Sequence, residues 1–417
     1  MSPRAELAPN PEYRLCSGQC GWLAALVLLA ACAGEPVPTA PLFKPGGVAT
    51  PLTATPTQLG FTLPPGTPAT LTARVQYVGL ITARSSDATG CATVTPSGVP
   101  ASKPAGSSMY VATFTVTPVA VGSCTITLTD KKGQTVQVPV SVEGAVTGGR
   151  IVYTSARDGN LEIYLIGSSG SVRLTNNAAR DFDPVLSPDG GKIAFVSERD
   201  GNRDIYVMDA DGTDPVRLTS HPAGDVEPAF SPDGSRIVFA SYRVDYDAGL
   251  TQLVTDLWVM NADGTGQARL TFFDHSMGAS SPGFSPDGLR IVFALAFEIW
   301  IVDADGSNPG PLTTEGNNFA PSFSPDGARI VFASDLNGSF PDVWVMNADG
   351  TSRLRLTTAN SGAGTPTFSP DGTRIAFGST RNGNDDIYLI DAGGGNEVRL
   401  TADPALDVRP RFGPGPN

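Results

Sequence analysis

From residue 150 to its end the chain repeats one unit six times, and this limits its fold more than any other feature. The string Ser-Pro-Asp-Gly begins at Ser187, Ser231, Ser285, Ser324 and Ser369, at spacings of 44, 54, 39 and 45 residues. A degenerate copy, Gly413-Pro414-Gly415-Pro416, follows 44 residues later. After each intact copy comes an apolar run such as Arg236-Ile237-Val238-Phe239-Ala240-Ser241, and a sixth run of this type, 150–155, opens the region. An acidic residue, an aliphatic and an aromatic come next in all six units, as in Glu162-Ile163-Tyr164 and Asp256-Leu257-Trp258. Each unit closes on Leu-Thr, at Leu174, Leu218, Leu270, Leu312, Leu356 and Leu400. A unit this small cannot bury its own apolar face, so the copies must stack on one another.

Physically, each unit reads as four short strands. The segment before Ser-Pro-Asp-Gly is the first, and that string is a turn whose Pro and Gly set the backbone angles. The apolar run alternates as the second strand and a hairpin leads to the third. A further Asp-Gly turn, such as Asp211-Gly212, leads to a fourth strand ending in Leu-Thr. Four strands every ~44 residues predict a β-propeller blade. The region begins with three strands of one blade and ends with a lone first strand at 409–412, so pairing the two ends closes a ring of six blades without open edges.

The pattern resembles the TolB-like propeller repeat, with six copies over residues 150–417. The resemblance implies a partner-binding platform, in which peptide segments or partner proteins dock at one mouth of the central channel. Propellers of this kind also gate prolyl oligopeptidase-type enzymes, so the fold leaves the function open.

Charge divides the chain. Residues 1–149 carry 8 basic and 6 acidic groups, and 150–417 carry 20 and 35, which accounts for the formal net charge of −13. Such a net negative charge argues against nucleic-acid binding through phosphate neutralisation, so no nucleic-acid partner is expected. At the N-terminus Arg4 and Arg14 precede a ten-residue apolar run from Trp22 to Ala31, too short to span a bilayer but suited to a signal-peptide core. Leu29-Ala30-Ala31-Cys32 resembles the lipobox of bacterial lipoproteins, which implies lipidation at Cys32 and membrane contact through that anchor alone. The absence of Asp after Cys32 points to the outer membrane. Residues 33–47 are Pro/Gly-rich and read as a stiff tether.

Between 48 and 147, short Thr/Val-rich runs (69–75, 92–96, 109–117, 123–130 and 135–142) alternate with turn residues and predict a β-sandwich. The segment resembles bacterial immunoglobulin-like domains, which implies a spacer or adhesive module. Cys91 and Cys124 are the pair left after the signal and lipid sites, and an oxidising compartment makes a disulfide between them the economical reading. The chain is therefore expected to comprise a lipoprotein signal and lipobox (1–32), a tether (33–47), an immunoglobulin-like sandwich (48–147) and a TolB-like propeller (148–417), all β.

No catalytic constellation stands out. There is no nucleophile elbow, no phosphate-cradling glycine motif and only two histidines. The Asp-Ala-Asp-Gly strings place Gly too early for a calcium loop, so no metal or other cofactor is expected. What varies between units is the connection into each first strand, and these loops should rim one mouth of the channel. Asp181, Asp183, Asp225, Glu227, Asp407 and Arg409 gather on the first three blades, whereas the others offer Ser281, Ala320 and Thr365. His221, His275, Phe319 and Met277 complete the candidate surface. The expectation is a monomeric, non-enzymatic envelope lipoprotein whose acidic mouth binds a protein or peptide, with a cationic one favoured. A hydrolase or lyase working through the mouth loops on peptide or polysaccharide, and a purely structural envelope protein, are the alternatives.

Overall fold

The computed structural model describes residues 53–414 except for 56–58, 64–68, 76–79, 86–91, 103, 105–109, 119–121, 145, 147–148, 169, 244–254, 274–277, 337, 339 and 359–360. Every named element among the described residues is a β-strand. None of the described residues forms a helix long and apolar enough to cross a membrane. The signal, Cys32 and the tether lie outside the described residues.

Two sheets precede residue 145. One has the order Thr53–Thr55, Ala69–Val75, Tyr110–Pro118, Ala92–Thr95; the other runs Leu59–Leu63, Thr135–Gly144, Gly122–Thr129, Leu80–Ser85, Gly98–Pro100. Alternation decides which face is buried. Ala112, Phe114 and Val116 point inward while Thr113 and Thr115 are exposed. Those three join Ile126, Leu128, Val138 and Val140 of the other sheet in a single apolar cluster, so the sheets pack face to face. Cys124 is buried in that cluster and disulfide-bonded; Cys91 lies outside the described residues. Leu80–Ser85 and Leu59–Leu63 escaped the sequence reading because each is short and set among Gly and Pro.

From Arg150 onward come six four-stranded antiparallel sheets. Five are continuous in sequence, with first strands Asp181–Leu186, Asp225–Phe230, Ala279–Phe284, Asn318–Phe323 and Ala363–Phe368. The remaining sheet joins the two ends of the region: Arg150–Ser155, Glu162–Gly167 and Gly170–Arg173 receive Asp407–Gly413 as their fourth member. We number this one the first sheet and the others in chain order. The first strands touch one another in that order, and Asp407–Gly413 touches those of both the second and the sixth sheets. Arg150 locks the join: its Nε donates to the Pro414 carbonyl at 3.1 Å and its Nη2 to the Gly190 carbonyl at 2.7 Å.

Each letter of the repeated turn has a physical task. The Ser187 hydroxyl donates to Asp189 at 2.6 Å and accepts from the Lys192 amide at 2.9 Å; Asp189 accepts from the Gly191 amide; and Gly190 sits at φ 72°. The Asp-Gly turns before the outer strands need glycine for a second reason. A Cβ on Gly212 would lie 2.5 Å from the Leu174 carbonyl oxygen of the preceding sheet, and Gly306 and Gly350 meet Leu270 and Leu312 in the same way. The closing Thr is equally specific. Thr219 accepts from the Ile205 amide at 2.9 Å, an arrangement found at Thr175, Thr271, Thr313, Thr357 and Thr401 as well. Repeated turns and repeated sheet-to-sheet contacts are thus one pattern.

Candidate functional site

The connections into the first strands and the hairpins between second and third strands share one end of the sheets. Register shows this: Asp181 pairs with Ser197, and Ser197 with Asp204. The Ser-Pro-Asp-Gly turns occupy the opposite end. The end carrying the variable connections is the candidate mouth.

Asp181, Asp225 and Asp407 open their strands there, but all three are buried. Each carboxylate is held by an arginine that follows a second strand: Asp181 by Arg199 at 3.0 Å, Asp225 by Arg243 at 2.7 Å and Asp407 by Arg157 at 3.0 Å. These guanidinium groups also lie over aromatic rings, Arg199 4.8 Å from the Tyr206 centroid and Arg243 4.8 Å from Trp258. Burial pushes the Asp407 carboxyl up to about 6 despite Arg157. Each of the three acids is thus paired within its own sheet, joining its first strand to the hairpin after its second. Third-strand acids are used similarly. Arg217 reaches Asp204 at 2.6 Å, and Arg173, Arg269, Arg355 and Arg399 repeat the contact with Glu162, Asp256, Asp342 and Asp386. The signal for these arginines was present in the sequence as Arg-Leu-Thr in five units; the fourth has Pro311 instead.

Asp183, Glu227 and Arg409 are not in the loops but inside the first strands. Together with Ser281, Ala320 and Thr365 they occupy one equivalent position, always left-handed (φ 45–55°) and always before proline. A bulge in all six first strands creates it. Left-handed geometry costs a non-glycine residue roughly 1 kcal/mol, and its sixfold recurrence marks it as architecture. Arg409 reaches from the first sheet to carboxylates of the second and the third. Its Nε lies 2.9 Å from Asp183 Oδ1, an ion pair without hydrogen-bond alignment, and its Nη1 donates to Glu227 Oε1 at 2.9 Å. Glu227 then accepts from the Ser281 amide of the fourth sheet at 2.6 Å.

Burial pushes the Asp183 carboxyl up to about 6, with the Arg409 charge opposing. Glu227 is also buried, yet Arg409 and the Ser281 amide outweigh burial and hold its carboxyl below the usual range. Two residues on, Arg411 adds a second guanidinium. The carboxylates expected on the side of the first three sheets are there, but Arg409 lies between the two of them. Arg409 thus offsets part of the negative charge that a count of carboxylates predicts there.

His221 caps its own turn, its Nδ1 accepting from the Ala223 amide at 3.1 Å. Phe319 is half-buried beside Ala333 in the fifth sheet. His275 and Met277 lie outside the described residues. No group of three or more His, Cys, Asp or Glu among the described residues is placed to hold a metal. Sequence reasoning missed the exposed aromatics. Phe272 (74% exposed) leads into the fourth sheet, Phe297 (68%) sits in that sheet's hairpin, and Phe340 lies in the fifth sheet's hairpin connection, all at the mouth end.

Residues 148–278 match the family described as TolB beta propeller domain (PD40). TolB from Acinetobacter baumannii shares the fold at a TM-score of 0.55 and 19% identity, over 71% of this chain and 81% of that one. A chain of a nidogen/laminin complex matches at 0.51 and 12%, over 64% of this chain and 98% of its own. Kuenenia stuttgartiensis hydrazine synthase matches at 0.51 and 16%, over 64% and 47%. A search of curated proteins returned no match. Identities this low speak for fold alone, and three proteins with such different names show how little the fold decides about function. The repeats, the four-stranded sheets and the family match agree on one point: residues 148–278 match the TolB beta propeller domain, and the chain shares the fold of TolB.

Proposed function

We propose that the chain is a non-enzymatic envelope lipoprotein. In this reading an immunoglobulin-like sandwich spaces a closed six-bladed propeller from the membrane, and the propeller binds a protein partner at its mouth. One observation carries the reading. Ala296 and Phe297 form a two-residue hairpin with φ of 53° and 64°, a geometry that favours Asn-Gly. A bulky aromatic in that conformation is strained, and its ring is left largely in water. Nothing in the fold asks for it there. Phe272 and Phe340 extend the same apolar side, opposite the charge-compensated one, and exposed aromatics are the residue type that anchors protein interfaces.

The test separates strain from use. Phe297→Gly should stabilise the protein by about 0.5–1 kcal/mol, because glycine adopts the turn freely, while weakening partner association at least tenfold. A photo-crosslinker at 297 should capture a protein in envelope extract, and one at Leu289, exposed on the opposite end, should not. Equal capture at both positions, or unchanged association in the glycine variant, would sink the reading.

Anchoring is tested separately. Cys32→Ala should leave no lipid-modified chain and release the protein from membranes, as read by intact mass and fractionation. A mature N-terminus other than a lipidated Cys32 would exclude the lipoprotein assignment.

A further inference from the structure

Most arginines of the six sheets form an ion pair, but Arg411 forms none among the described residues. Among the described residues no hydrogen bond, ion pair or ring contact engages its guanidinium, and its side chain is half-buried on a first strand. Two residues away along the strand lies a like charge, Arg409, which is already committed to Asp183 and Glu227 through Nε and Nη1. Burial and then the Arg409 charge push the Arg411 guanidinium below its usual value, with Glu227 and Asp183 offsetting only part of this. A half-buried guanidinium that no protein group occupies has its donors open to an incoming acceptor.

The surroundings leave room for one. Arg411 is fifth in its strand, and the equivalent residues of the other sheets are Val185, Ala229, Gly283, Ser322 and Thr367, all uncharged and none large. In a closed ring of six the fourth sheet faces the first, so Gly283 stands across from Arg411. A Cβ built on Gly283 meets no atom within 4 Å. The side of the channel facing the guanidinium is therefore open.

We propose that Arg411 anchors a carboxylate-binding site inside the channel, filled by an acidic side chain or chain terminus that a partner inserts through the mouth. The fork of guanidinium N–H groups suits the two oxygens of a carboxylate. The Arg409–Asp183–Glu227 cluster holds the neighbouring positive charge in place without consuming Arg411. This deepens the partner-binding reading and rests on it for the source of the carboxylate. It differs from the cationic partner expected from acid counts, because the channel's carboxylates are already matched and its spare charge is positive.

The experiment uses the full chain and small probes at constant ionic strength. Acetate and the peptide Ac-Gly-Glu-Gly-NH2 should each raise the melting temperature saturably and bind by calorimetry, whereas Ac-Gly-Gln-Gly-NH2 and chloride should not. A response to the peptide at least tenfold tighter than to acetate assigns the site to a peptide-borne carboxylate; the reverse order assigns it to a free small acid and overturns the peptide source. Arg411→Gln should abolish both responses without lowering the melting temperature of the unliganded protein, because no contact is lost. Gly283→Val, which leaves Arg411 untouched, should weaken binding at least tenfold by filling the space across the channel. Equal responses to acetate and chloride, or undiminished binding in both variants, overturn the site. Because these probes need no partner, their failure is distinguishable from a failure of cross-linking at 297.

Discussion

Deleting residues 408–417 is expected to abolish the native fold rather than trim a tail. The deletion removes almost all of the strand that pairs with Arg150–Ser155, where Ile151 faces Phe412 and Val152 faces Arg411. It takes Phe412 from the cluster formed by Ile151, Tyr153, Tyr164 and Leu400, and truncating one large aromatic in such a place costs about 3–5 kcal/mol. It also removes the acceptor for Arg150 Nε, and it leaves Asp183 and Glu227 buried without Arg409. An unpaired buried charge and the lost strand hydrogen bonds each add at least about 1 kcal/mol. Whole domains have only about 5–15 kcal/mol to lose. Two sheet edges would also be bared, so the truncated chain should aggregate. Size-exclusion profiles and urea unfolding check this, and an unchanged midpoint would mean that the ends are not joined through this strand.

The second large effect is expected at Arg243. Its side chain is 7% exposed and that of Asp225 0%. The pair is bidentate, Nε to Oδ1 at 3.2 Å and Nη2 to Oδ2 at 2.7 Å, with Nη1 donating to Gln267 at 2.7 Å. Arg243→Met keeps most of the volume but strands a buried carboxylate, and breaking such a pair from one side costs about 3–5 kcal/mol. The double variant Arg243→Met/Asp225→Ala should recover much of that loss. The fourth sheet shows why: it has Ala279 at the matching position and no arginine after Leu295, yet its strands pair in the same register. Urea unfolding of the single and double variants gives the coupling energy. A single variant within about 1 kcal/mol of the parent would show that the pair is not desolvated.

Both effects depend on contacts that a linear reading handles unevenly. The strands and turns of the repeat region were legible because their causes are local. Ser-Pro-Asp-Gly closes its own turn through atoms within five residues of one another, and each apolar run is a six-residue strand buried on both faces. Even the pairing of the two ends of the region could be read, because a surplus first strand at one end matched a deficit at the other. The bulge before each proline was less accessible. Its sequence sign, Asp183-Pro184 through Arg409-Pro410, recurs six times, but the residue before proline differs each time and only backbone geometry unites them.

Charge at the candidate site was the least legible part. The sequence by itself determined how many carboxylates and guanidinium groups approach the channel and on which strands they lie. It also determined that they gather on the first three sheets. Only the tertiary structure decided which of them cancel. Arg409 meets Glu227 across 182 residues of chain, Arg243 meets Asp225 across 18, and Arg411 meets no partner among the described residues. The same holds for the strained Phe297, which looks in sequence like any other apolar residue in a short hairpin. Local patterns follow from backbone angles and side-chain alternation over a few residues, whereas compensation between charges depends on distances that exist only after the ring has closed.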